Sequence, residues 1–493
     1  MRDADGGRAL GRRTAAGFIW ALLGAGAGKL LALASIAVLA RLLAPAEFGL
    51  FAFALVYIAY LDTFGDLGTG AALVYWPDRA RDVAQVTFAL NLLTGVAWFL
   101  LTWVLAPAVA TFFHSPEGAP ILRALGATFP LTALANTHDA LCTKDLRFRA
   151  RFIPEIGLAA VKAVLTIALA LAGVGVWSLV WGHLVATGVR GALLWLVVPW
   201  RPAWRWPAGL LRPVLRYGGW IVMVDVIAVI VHHADYVVVG RLLGVTTLAF
   251  YQMAYKVPEA VVIVLVWQAS LVLFPAFSKA QASGRSLGDA YLTALRYFSL
   301  LVVPAAVSVV LLADPIVLTL FGEAWRPSIP ILRVLAVYTG LRALETQAGD
   351  VLKAQGRPKL LAALGALKAL ILVPALVVAA RWDATAVAAT MAAVAGAMTL
   401  LDFALVRHTA GVPAGSILGA VATSLLPAAV LAVVLTVWTH AAAGAGSPLA
   451  LAGGVALGLG AYLVAVRVLS PRVYRRAMST LWPRPPAGAA AVP

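Results

Sequence analysis

From Thr14 to Ala40 the chain carries a single charged side chain, Lys29, and thirteen comparable apolar runs follow. Each residue of a helix rises about 1.5 Å, so runs of this length cross the roughly 30 Å hydrocarbon layer of a bilayer. Breaks marked by charge, Pro or Gly place the fourteen candidate spans at 15–40, 48–73, 85–110, 119–142, 152–172, 175–199, 214–240, 249–275, 289–313, 329–352, 358–380, 384–406, 414–439 and 447–469. Arg123, Asp139, Arg342, Glu345 and Asp350 interrupt the fourth and tenth, and a count of thirteen would send the C-terminus to the other side. The expected fold is an all-α polytopic membrane protein.

Composition agrees. The 493 residues are 62% hydrophobic and 12% charged, about half the charged share of a water-soluble domain. A single cysteine, Cys142, removes disulfides, cysteine-based zinc sites and paired-thiol redox chemistry. No cleavable signal peptide is expected, because the first apolar run is too long and lacks a small-residue cleavage site. The net charge of +17 invites a nucleic-acid reading until the basic residues are located. With the N-terminus inside, Arg2 to Arg13, Arg79, Arg81, Lys144 to Arg151, Arg201 to Arg216, Lys279 to Arg296, Lys353 to Lys359, Arg407 and Arg467 to Arg484 all fall on cytoplasmic segments. Only Arg41, Arg241, Arg326 and Arg381 fall in outer loops. Fourteen spans therefore obey the positive-inside rule throughout and put both termini in the cytoplasm. Anionic lipid headgroups satisfy this charge, and no nucleic-acid partner is needed.

A shadow of the first span recurs 200 positions later: Trp20 on Trp220, Ala34 on Ala234, Val38 on Val238 and Arg41-Leu42-Leu43 on Arg241-Leu242-Leu243. Transporters built from such repeats hold substrate between the halves.

Charges left inside the spans are the candidate site. Lys29, Lys162, Arg190 and Lys368 have no acid within four residues on their own helix and lie near mid-depth. Each needs an acid from another helix or a hydrated cavity, and cations gathered in such a cavity attract anions. Lys256 with Glu259, and Arg342 with Glu345, sit at i,i+3, a spacing that also permits mutual neutralisation. Asp62 and Asp66 share a helix face; they read either as a proton or sodium site or as wet residues near the inner end. Asp225, His232, His233 and Asp235 on the seventh span allow a proton relay, or are ordinary interfacial polar groups. No metal-ligand spacing is visible. Gly24 and Gly28, four apart in the first span, permit close packing or bending.

Several words in this sequence resemble one family. They are Arg41-Leu42-Leu43-Ala44-Pro45-Ala46-Glu47-Phe48-Gly49, Gly65-Asp66-Leu67-Gly68-Thr69-Gly70, Lys144-Asp145-Leu146-Arg147-Phe148-Arg149, Arg241-Leu242-Leu243-Gly244, Phe321-Gly322-Glu323-Ala324-Trp325 and Gln355-Gly356-Arg357-Pro358. In this order the chain is similar to polysaccharide and oligosaccharide-lipid flippases of the multidrug/oligosaccharidyl-lipid/polysaccharide exporter superfamily. The resemblance covers most of positions 14–360; beyond that only the hydrophobic pattern matches.

The resemblance implies two pseudo-symmetric six-helix lobes, 14–199 and 214–406, joined by a cytoplasmic linker at 200–213. Helices thirteen and fourteen, 407–470, follow, with cytoplasmic tails at 1–13 and 471–493, the latter disordered. It implies alternating-access export of undecaprenyl-diphosphate-linked oligosaccharide across the bacterial cytoplasmic membrane. The substrate cavity would draw on Lys29, Lys162, Arg190, Lys256, Arg342 and Lys368. A coupling ion, H+ or Na+, would use Asp62, Asp66, Asp225, Glu259 and Glu345; no other cofactor is expected. Partners would be the lipid-linked glycan, membrane lipids, and a polysaccharide polymerase with its chain-length regulator. The protein is expected not to be an enzyme. The competing readings are a cation-coupled drug or metabolite antiporter of the same superfamily and a membrane glycosyltransferase or polymerase.

Overall fold

A computed structural model describes residues 31–65, 67–75, 79–145, 147–203, 207, 209–283, 286–441 and 448–471. Among them there is no strand. The helices are α1 (Leu31–Leu42), α2 (Pro45–Asp62), α3 (Thr69–Tyr75), α4 (Ala80–Phe112), α5 (Ala119–Gly126), α6 (Thr128–Lys144), α7 (Phe148–Leu171), α8 (Val176–Val197) and α9 (Leu211–Leu242). They continue with α10 (Val245–Pro258), α11 (Val264–Ala282), α12 (Leu287–Leu311), α13 (Ala313–Leu320), α14 (Ser328–Ala354), α15 (Pro358–Ala379), α16 (Ala384–Ala410), α17 (Ala414–Ala441) and α18 (Pro448–Leu469).

Eleven described helical segments are long and apolar enough to cross a membrane, so the chain is a multi-pass, all-α membrane protein. Every expected span has a described helix within it. Three do not qualify by length and apolarity. The first is described only from Leu31. The eighth is broken where Pro258 ends α10 and a π turn, Glu259–Ile263, precedes α11. The tenth, α14, carries Arg333, Arg342, Glu345, Asp350 and Lys353. Proline removes a ladder donor, and the π turn accommodates the lost register.

The chain packs as two compact units. One comprises Met1–Lys256 with Ala362–Met391, the other Val257–Leu361 with Ala392–Pro493. Residues expected in the second lobe thus contribute to both.

In the first unit, α2 starts as its sequence dictates. Pro45 occupies the first helical position, and Glu47 accepts a hydrogen bond from the Ala44 N–H at 2.8 Å. One turn on, Gly49 lies against the backbone of Val245, where a Cβ would overlap the carbonyl oxygen. Helices α7 and α8 pack along their length, and α6 packs on both. In the second unit Tyr291, Leu295, Ala348, Val351, Val406 and Ile417 form the core of α12, α14, α16 and α17. Helix α18 packs on α17 there, with Tyr462 donating to the Leu300 carbonyl at 2.6 Å.

Candidate functional site

The site is a cavity of about 190 Å³ wholly within the first unit. By liquid volume that is room for roughly six waters. Its walls come from α1 (Ser35), α2 (Phe51), α7 (Lys162, Thr166), α8 (Leu179) and α10 (Gln252, Lys256), the remainder being chiefly Ala, Leu, Phe and Met. No carboxylate lines it among the described residues.

Helical spacing puts these groups together. Lys162 and Thr166 are one turn apart on α7, and Gln252 and Lys256 one turn apart on α10, so each pair shares a face. Helix α8 approaches α7 at Gly182, where any β-carbon would overlap Thr166 Oγ1. That approach brings the next residue, His183, to Lys162: the ammonium lies 3.4 Å from Nδ1. An ammonium has only protons to give, so Nδ1 accepts and the imidazole is neutral with its proton on Nε2. The ring rests edge-on against Phe51, centroids 6.2 Å apart. Thr166 is 1% exposed, and its hydroxyl has no hydrogen-bond partner among the described residues. Lys162 is half-buried and Lys256 exposed, and two amines facing one largely apolar cavity attract a ligand with anionic oxygens.

The other sequence candidates fall elsewhere. Lys29 and Asp66 lie outside the described residues. Arg190 is corrected: it is not an uncompensated cation. Its Nε donates to Glu155 at 3.0 Å and its Nη2 to Asp139 at 3.2 Å, while Arg151 pairs with the same aspartate at 2.9 Å. Helices α6, α7 and α8 supply these groups, and none lines the cavity. Lys368 is buried on the part of α15 belonging to the first unit, away from the lining. Arg342 and Glu345 are half-buried on α14 in the second unit, and Glu259 opens the π turn there.

Asp62 and Asp225 are exposed. The most buried acids among the described residues are Asp350 at 1%, Asp235 at 2% and Asp402 at 7%; of these only Asp235 was read from the sequence as a candidate, as part of the proton relay on the seventh span. Asp350 pairs with Lys353 at 3.1 Å. His232 Nδ1 lies 2.6 Å from the Ala228 carbonyl of its own helix, and His233 packs among Tyr60 and Tyr236. No cluster suited to a metal is present among the described residues.

A family model for polysaccharide biosynthesis proteins matches residues 38–330, more than half of the chain. The chain belongs to that family. It is 26% identical over 355 residues to the lipopolysaccharide biosynthesis protein WzxC of Escherichia coli, covering 71% of each. It is 27% identical over 310 residues to the succinoglycan biosynthesis transport protein ExoT of Rhizobium meliloti, covering 62% of each. Among solved structures it resembles the lipid II flippase MurJ with a TM-score of 0.76 at 14% identity, over 93% of this chain and 100% of that one. The last likeness speaks for the fold alone. The family read from the sequence motifs is borne out.

Sequence reading missed His183, Thr166, Ser35 and Gln252. A lone histidine or hydroxyl on an apolar helix carries no signal of its own. The signal that was available is Gly182-His183, a small residue beside a titratable one in mid-span.

Proposed function

We propose that this protein moves a polyprenyl-diphosphate-linked oligosaccharide across the bacterial cytoplasmic membrane by alternating access, the diphosphate being held by Lys162 and Lys256. One observation carries the reading: two amines share a largely apolar cavity among membrane-spanning helices, in a chain of a polysaccharide biosynthesis family. Phosphate oxygens accept hydrogen bonds from both amines, and no covalent chemistry is required of the protein. The prenyl chain stays in lipid, so the protein need shelter only the polar head.

The proposal extends to topology and coupling. Both termini face the cytoplasm, and two pseudo-symmetric six-helix lobes carry the exchange of access. Lys29 and Lys368 contribute further positive charge along the path. Export is driven by H+ or Na+, with Asp62, Asp66, Asp225, Glu259 and Glu345 as the first residues to neutralise. A polymerase and a chain-length regulator receive the product.

The test is export in cells lacking their own flippase for the glycan. The variants K162Q and K256Q should abolish surface polysaccharide while the protein reaches the membrane at wild-type level. Normal export by both would contradict the cavity reading. A gain of dye efflux with unchanged surface glycan would instead point to a drug antiporter.

A further inference from the structure

We infer that His183 is a positioning residue that holds the Lys162 amine in place for an anionic head group. The inference rests on the cavity reading above and names a device the sequence did not. Lys162 has a long flexible stem, and an ordered amine binds an anion at lower entropic cost than a wandering one. The structure supplies the ordering contact. Lys162 Nζ donates to His183 Nδ1 at 3.4 Å, and the His183 ring is braced by Phe51. Gly182 makes the contact geometrically attainable, because a side chain there would push α8 away from Thr166 and carry His183 from Lys162.

His183 does not line the cavity, whereas Lys162 and Thr166 do. Its influence on a ligand therefore passes through Lys162. The charged group packed nearest is Lys162, with Lys256 across the cavity on α10; Phe51 on α2 is apolar, and the Arg190–Asp139–Glu155 group lies farther along α8. No carboxylate of the cavity lining competes for the amine among the described residues. A neutral acceptor suits this place better than a carboxylate, which would bind the ammonium too firmly to release it to a phosphate.

The test uses the full-length protein in detergent micelles, with farnesyl diphosphate as the probe and binding followed by titration calorimetry. H183F keeps a ring against Phe51 but cannot accept a hydrogen bond. H183N places a carbonyl oxygen near the position of Nδ1. We expect H183F to weaken binding about tenfold, the scale of a hydrogen bond to a charged group, and H183N to bind within about twofold of wild type. The decisive arm is a double-mutant cycle: H183F should add nothing in a K162Q background, because the partner it positions is gone. Equal losses in both backgrounds, or H183N as weak as H183F, would overturn the inference and leave His183 a packing residue. Should H183F fail to accumulate, H183M serves the same comparison. If K162Q itself binds as wild type, the cavity reading fails, and that outcome is separate from a silent H183F.

Discussion

Arg190 shows how a mid-span charge is settled by partners the local sequence hides. It binds Glu155 and Asp139, 35 and 51 positions earlier, and shares the aspartate with Arg151. The arginine side chain is 18% exposed and the aspartate 20%, so the network lies between the buried and surface extremes. Replacing Arg190 by Gln takes the cation from Glu155 and leaves Asp139 to Arg151 alone, and should cost about 1–3 kcal/mol, read as a lower melting temperature in detergent. Adding E155Q should recover part of it; an unchanged melting temperature for R190Q would show the network to be incidental. A search for acids within one helical turn finds neither partner, because the two preceding helices, α6 and α7, supply them. Lys162 illustrates the reverse. Its isolation on its own helix was legible, and the structure places it in a cavity, yet His183 was not legible as its neighbour. That contact depends on how closely α7 and α8 approach.

At the scale of elements, the approach of α7 to α8 is set by Gly182. A methyl group there meets Thr166 Oγ1, so G182A should cost about 1–3 kcal/mol as an overpacked site does, with T166A restoring part of the loss. A G182A protein as stable as wild type would mean the two helices part freely. Eleven of the expected spans coincide with described helical segments long and apolar enough to cross a membrane, because twenty apolar residues have few alternatives in a bilayer. Their interruptions were not readable. Pro258 was visible in the sequence, but the π turn it precedes was not; at the split between α5 and α6, Pro130 in the first turn of α6 cannot donate to the Gly126 carbonyl. The motifs that betrayed the family are largely helix punctuation. Pro45 and Glu47 start α2, Gly49 lets it touch Val245, and Gly356 and Pro358 end α14 and begin α15. Such words specify where helices turn, and for that reason they identify the fold better than they locate the substrate.

At the scale of the molecule, the positive-inside pattern makes a topological prediction. If the proposed topology holds, a fluorescent protein fused after Ser470 should fluoresce, on the inside, and alkaline phosphatase inserted after Gly322 should be active, on the outside. The opposite pair of signals would invert the assignment. Ion coupling is tested in vesicles by imposing a proton or sodium gradient: acceleration of transport by one gradient, lost in the variant of the acid responsible, identifies the ion. The central claim is tested most directly by reconstituting the protein in vesicles with a fluorescent undecaprenyl-diphosphate-linked sugar. Exposure of the sugar to a membrane-impermeant reagent is then followed with time. Wild-type protein should expose the pool within the assay while K162Q/K256Q behaves as protein-free vesicles; translocation by the double variant at the wild-type rate would contradict the account.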